Sequence, residues 1–164
     1  MNMKLALRSF LRQKGFLPLS PRNKFWHKFP IVHTTDIQTG EQLKLARIKI
    51  KKELHRKSGL YAYVNKKGTL LYVGKSENLA GRVYSHYQEA FRGAGVWQAF
   101  FSKFAGELTI LWCEISTDRQ RRAIEEMIEE AQPSEFEKLY PRGKRRLISN
   151  SPLQSSGILN STTT

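Results

Sequence analysis

The sequence predicts an α+β fold, a small three-stranded antiparallel sheet flanked by helices, carried by residues 58–140. Three observations predict it. Two β-prone runs joined by a turn occupy residues 59–73. A strongly apolar run with β-branched and aromatic residues occupies residues 108–115. Apolar residues recur at helical spacing before and after that run.

Gly59 to Val64 (GLYAYV) and Thr69 to Val73 (TLLYV) are the β-prone pair, and Asn65-Lys66-Lys67-Gly68 reads as the turn of their hairpin. Gly74 ends the second strand. Ser76-Glu77-Asn78 then supplies helix-start chemistry, because short polar side chains accept bonds from the first free amides of a helix. Leu79, Val83, Tyr87 and Ala90 follow at helical spacing, and Gly93 and Gly95 break that helix. Residues 96–104 (VWQAFFSKF) suit a second, mostly buried helix, and residues 108–115 (LTILWCEI) the third strand. Thr117 with Gln120 has the form of a capping box. It opens a helix with a core face of Ala123, Ile124, Met127, Ile128 and Ala131, stopped by Pro133.

The 164 residues suit one domain plus extensions, and 40% hydrophobic content suits one modest core. The net charge is +14, which points to a polyanionic partner, nucleic acid above all. Its distribution is uneven. Residues 1–57 carry +11, residues 58–140 carry −1 and residues 141–164 carry +4. The expected organisation is therefore a basic extension over 1–57, a near-neutral domain over 58–140, and a tail over 141–164 that is basic and then Ser/Thr-rich. From Ser149 onward the tail is expected to be disordered. No apolar run reaches membrane-spanning length, and no secretory leader pattern is present. The single cysteine, Cys113, excludes an internal disulfide and argues against a cysteine-based zinc site. An intracellular protein is the expectation, with organelle targeting left open.

Within the extension, residues 1–15 suit a short amphipathic basic helix: a nucleic-acid arm, a membrane-surface helix or a transit peptide, of which the arm is favoured. Pro18, Pro21 and Pro30 predict mostly irregular structure over residues 16–40. The aromatic and basic run from Lys24 to Phe29 suits either base stacking or a flap packed on the core. Residues 41–57 form a Lys-rich candidate helix, with Lys49, Lys51, Lys52, Arg56 and Lys57 as candidate phosphate contacts.

The hairpin holds Gly59-Leu60-Tyr61 and, further on, Tyr72-Val73-Gly74. Residues 72–87 continue as YVGKSENLAGRVYSHY. These residues resemble the paired tripeptides and following helix of the GIY-YIG nucleases, with Leu and Val in place of the two isoleucines. The likeness is closest to the amino-terminal nuclease domain of UvrC and covers about half of the chain. It implies a Mg²⁺- or Mn²⁺-dependent endonuclease acting on DNA; a catalytically weak nucleic-acid-binding module on the same fold and an RNA-directed nuclease are the alternatives. Catalytic positions implied by the resemblance are Tyr61, Tyr72, Lys75, Arg82 and His86. Physically, tyrosines on paired strands can share a face and orient a water. Lys75 can supply a nearby cation, and Arg82 can clamp a phosphate through two hydrogen bonds. Arg82 and His86 are spaced i, i+4 and so share a helix face, expected to lie away from the Leu79 and Val83 stripe. The family uses one acidic residue on the last core helix as metal ligand. Glu125, Glu126, Glu129 and Glu130 compete for that role. A helical wheel puts Glu125 at the rim of the core face and the other three further from it, so Glu125 is the expected ligand. Two departures stand out: Glu125 to Pro133 is one residue shorter than the family spacing, and Phe136 stands where the family commonly has Asn.

Overall fold

The computed structural model describes residues 2–92 and 94–142. The helix break expected at Gly93 and the disorder expected of the tail lie outside the described residues. In chain order the elements are α1 (Met3–Gln13), β1 (His27–His33), α2 (Gly40–Leu54), β2 (Gly59–Asn65) and β3 (Leu70–Ser76), followed by α3 (Leu79–Arg92), α4 (Gly95–Lys103), β4 (Gly106–Glu114), α5 (Asp118–Ala131) and α6 (Glu135–Leu139). The sheet has four antiparallel strands in the order β1-β4-β2-β3, one more than the sequence predicts.

The additional strand, β1, lies within the stretch expected to be irregular. Phe29, Ile31 and His33 point into the core and alternate with outward Lys28, Pro30 and Val32, the period of a half-buried strand. Pro30 is accommodated because β1 is an edge strand, paired only with β4, where Pro30 lies opposite Thr109. The hairpin turn forms as expected. Asn65 Oδ1 accepts from the amides of Lys67 and Thr69 at 3.0 and 2.9 Å, and Gly68 takes the positive φ of 79° that closes it.

The central strand β2 is buried on both faces. On one face Tyr61, Tyr63 and Tyr72 join Phe29, Ile110 and Trp112, and are covered by Ile50 and Leu54 of α2, Val83 of α3 and Phe101 of α4. On the other, Leu60, Ala62, Val64, Val73, Leu111 and Cys113 meet Leu11 of α1 and Ile128 and Ala131 of α5. Trp26 joins this second cluster, so that member of the Lys24–Phe29 run packs on the core. Full burial of Leu11 stabilises the docking of α1 by about 1.5–3 kcal/mol. Arg8 Nε adds a 2.7 Å bond to the Ala131 carbonyl, one of the acceptors a helix C-terminus leaves free.

Thr39 opens α2 with a reciprocal capping box to Gln42, and α2 turns Leu43, Ala46, Ile50 and Leu54 inward. Asn78 Oδ1 accepts from the Gly81 amide at 3.0 Å in the first turn of α3, and Thr117 caps α5 through the Gln120 amide. The core face of α5 differs from expectation. Arg121 and Glu129 are buried there and Ala123 is exposed. Both charged residues are held by hydrogen bonds, which is what makes their burial tolerable. Arg121 Nη1 donates to the carbonyls of Ile115 and Ser116 at 2.9 and 2.8 Å, and Nη2 to Glu77 at 3.2 Å. Glu129 accepts from the Ser134 amide at 3.1 Å and its hydroxyl at 2.8 Å, closing the bend at Pro133. Ser134 then caps α6, a five-residue helix absent from the sequence expectation.

Candidate active site

The two tripeptides sit where β2 runs between its neighbours. A side chain at Gly59 would collide with the Cys113 carbonyl of β4. At Gly74, which faces Tyr61 across the β2–β3 ladder, a Cβ would lie 2.6 Å from the Tyr61 hydroxyl and 2.7 Å from Tyr72 Cε1. The space left by the missing Gly74 side chain is therefore where the two tyrosines meet.

Tyr61 and Tyr72 come within 5.7 Å, centroid to centroid, and are hydrogen-bonded to each other and to the Arg82 side chain. Behind them the Tyr61 hydroxyl lies 2.8 Å from His86 Nε2. Tyr61 is fully buried, whereas Tyr72 retains 8% exposure, so Tyr72 is the hydroxyl nearer solvent. Burial raises the Tyr61 pKa well above 10, with Tyr72 and Tyr63 adding to the rise and Arg82 opposing it. Burial also raises that of Tyr72; the bond from Tyr61 and the charge of Arg82 oppose this, and the carboxylate of Glu125 adds to it.

His86 departs from the expected exposed face. Leu79, Val83, His86, Tyr87 and Ala90 are all buried, so the inward stripe of α3 is broad enough to include it. Its ring packs 4.8 Å from Trp97 and 4.9 Å from Phe101. Burial first, then Arg82 and His33, hold its pKa well below 6.5 and the imidazole neutral. Arg82 itself lies at the exposed margin of α3, with its guanidinium 5.4 Å above the Trp97 ring and its donors on the tyrosine hydroxyls.

Lys75 continues β3 but turns to α5, where Nζ lies 2.9 Å from Asp118 Oδ1. Arg82 is the cation whose charge acts on both tyrosines, while that of Lys75 reaches Glu125. Glu125 occupies the rim of α5 with its side chain 13% exposed, close enough to Tyr72 to perturb it. Burial raises its pKa; Arg142, 3.8 Å away, and Lys75 oppose the rise, and Glu129 and Glu126 add to it. Tyr61, Tyr72, Arg82 and His86 thus meet from β2, β3 and α3, and Glu125 of α5 acts on Tyr72 through its charge. The five candidate phosphate contacts do not share one surface. Lys51 and Arg56 line a groove against α3. Lys49 lies beside Ile31 and Val32 of β1, Lys52 is exposed, and Lys57 pairs with Glu114 at 2.6 Å.

Residues 57–111 match the family described as the UvrC-like GIY-YIG domain. That stretch, about a third of the chain, is a UvrC-like GIY-YIG segment. UvrABC system protein C of Bacteroides fragilis is 43% identical over 54 residues, which is 33% of this chain and 8% of the relative. That of Bacteroides thetaiotaomicron is 50% identical over 36 residues, 22% of this chain and 6% of the relative. The chain thus matches under a tenth of the length of either relative.

The matched GIY-YIG segment contains Tyr61, Tyr72, Lys75, Arg82 and His86 but ends before Glu125 and Phe136, whose placement rests on the geometry. Among the described residues no group of three or more His, Cys, Asp or Glu could form a metal cage. A single rim carboxylate instead suits a Mg²⁺- or Mn²⁺-type ion that keeps most of its waters and takes further oxygens from a phosphate. The described residues contain no helix long and apolar enough to cross a membrane.

Sequence reasoning missed the wall of the site. Trp97 and Phe136 stack at 4.5 Å with 12° between their planes, and Phe136 meets Tyr72 edge-on at 5.3 Å. The departure at Phe136 was the available signal. An apolar ring fills the position commonly polar in the family and packs the site's back wall.

Proposed function

We propose that the GIY-YIG domain is a divalent-metal-dependent endonuclease that hydrolyses phosphodiester bonds in DNA. The observation that carries this reading is that the Tyr61–Tyr72 pair lies beside Arg82, with Glu125 of α5 near enough for its charge to act on Tyr72. Hydrolysis of a phosphodiester needs a proton acceptor for water, positive charge on the phosphate and help for the leaving oxygen.

Tyr72, the less buried of the two residues, orients the attacking water and, in the ionised form that the charge of Arg82 favours, accepts its proton. Tyr61 hydrogen-bonds to Tyr72 and is held from behind by neutral His86, so both act by positioning Tyr72. Arg82 already donates to both phenols, favours their ionised form, and presents its guanidinium at the exposed margin to a phosphate. Lys75 adds positive charge at the Glu125 side of the rim. Glu125 would hold Mg²⁺ or Mn²⁺, which supplies Lewis-acid polarisation of the phosphate and offsets the carboxylate charge that opposes ionisation of Tyr72. The +14 net charge fits a polyanionic substrate.

Supercoiled plasmid with Mg²⁺ tests the reading. The wild-type protein is expected to nick it, and Arg82→Ala and Glu125→Ala to slow nicking by roughly 100-fold or more. Equal nicking by all three overturns the assigned site, and DNA binding without any nicking leaves a binding platform instead.

A further inference from the structure

Between α2 and the first turns of α3 lies a cavity of about 440 Å³, within the roughly 300–1,000 Å³ range of ligand clefts. Arg47, Lys51, His55 and Arg56 line one wall and Gly81 and Tyr84 the other. Arg47, Lys51 and His55 follow at i, i+4 and i+8, one row along the helix with about 6 Å of rise between members. Arg56 joins them from beyond the helix end, where its φ of 56° breaks the α2 path. The Arg47 guanidinium lies 5.8 Å from the Tyr84 ring centroid.

The groove gathers cations without carboxylate partners. Lys57, Lys66, Lys75 and Lys138 are each paired with a carboxylate. Among the described residues, Arg47, Lys51 and Arg56 form no ion pair. The one acid on the groove, Glu77, is engaged by Arg121 at 3.2 Å. Gly81 immediately precedes Arg82 in α3, so the groove and the candidate active site share that helix. Most of it is built by α2, which lies outside the segment matched by the family.

We propose that the α2–α3 groove binds the sugar-phosphate backbone of the DNA strand flanking the cleaved bond, with Arg47, Lys51 and Arg56 meeting successive phosphates independently of sequence. This rests on the nuclease reading for its direction, toward Arg82, and not for the binding itself. Unpaired cations in a row are suited to a polyanion that passes each in turn, and releasing its counterions makes binding steeply salt-dependent. Deleting residues 1–57 does not test the idea, because it also removes β1 and the core residues Leu11, Ile50 and Leu54.

The test is fluorescence anisotropy of a labelled mixed-sequence DNA duplex in EDTA, where no cleavage intervenes, repeated across a salt titration. Arg47→Ala/Lys51→Ala is expected to weaken binding roughly tenfold or more and to flatten the slope of log affinity against log salt by about 2. Arg47→Lys/Lys51→Arg retains the slope. Lys66→Ala/Lys67→Ala, which removes equal charge at the opposite end of the β2–β3 hairpin, also retains it. An unchanged slope in the groove variant, or equal losses in the groove and hairpin variants, overturns the groove while leaving the nuclease reading intact. Groove-dependent binding by a protein that nicks nothing upholds the groove and overturns the nuclease reading.

Discussion

On one side of the sheet Leu60, Ala62, Val64, Leu111 and Cys113 meet Leu11, Ile128 and Ala131; on the other Tyr61, Tyr63, Tyr72 and Trp112 meet Phe101, Phe136 and the rings of His33 and His86. The first side is almost wholly aliphatic. The second buries polar atoms, and both His33 ring nitrogens, the Tyr63 hydroxyl and the Trp112 indole nitrogen have no hydrogen-bond partner there. Such atoms destabilise by roughly 1–3 kcal/mol each when left unpaired. The difference teaches that one side supplies adhesion while the other gives up part of it to hold hydroxyls and imidazoles next to the rim.

Four substitutions break or sharpen that contrast. Tyr72→Phe is expected to slow plasmid nicking by about 10²–10⁴-fold while the melting midpoint stays or rises, because only a buried hydroxyl is lost. A fall in stability that accounts for the lost nicking would erase the contrast. Leu111→Ala should do the reverse, lowering urea-measured stability by about 2–5 kcal/mol and leaving nicking per folded molecule unchanged.

The third concerns pH. Burial lowers the His33 pKa from 6.5 to about 4. Folded His33 is therefore neutral where the unfolded chain takes up a proton, so its contribution is intact above pH 6.5 and is lost as pH falls from 6.5 through about 4. That loss is about 3 kcal/mol. His33→Phe should remove it from urea titrations compared across this range, and an undiminished acid loss would show that His33 is not its source.

The smallest effect is expected for Lys75→Ala. Its partner Asp118 is exposed, so the melting midpoint should hold, and nicking should slow by less than about tenfold if Lys75 acts only through its field at Glu125. A loss as large as that of Tyr72→Phe would instead place Lys75 in the proton-accepting group.

Local chemistry made much of the fold legible. The hairpin turn at Asn65, the Asn78 start of α3, the stripe from Leu79 to Ala90 and the Thr117 cap each involve residues a few positions apart. β1 was hidden because Pro30 interrupts its pattern and its partner β4 lies some eighty residues away in sequence. α6 is too short to display a period. Arg121 and Glu129 were absent from the expected core face because the carbonyls and hydroxyl that satisfy them lie in the loops flanking α5. In the site, Tyr61, Tyr72, Arg82 and His86 belong to one hairpin–helix unit whose spacing is readable. The aromatic wall of Trp97 and Phe136 and the pairing of Lys75 with Asp118 depend on tertiary placement and left no spacing to read.

Arg8 reaches across 123 positions to hold the last carbonyl of α5, the helix that presents Glu125. The stretch matched by the family ends at Leu111, within β4. Excised on its own, that stretch would be a torn ribbon, cut inside one strand and lacking the border strand, the clasp and the rim carboxylate. The matched hairpin and helix are completed here by elements that precede and follow them in the chain.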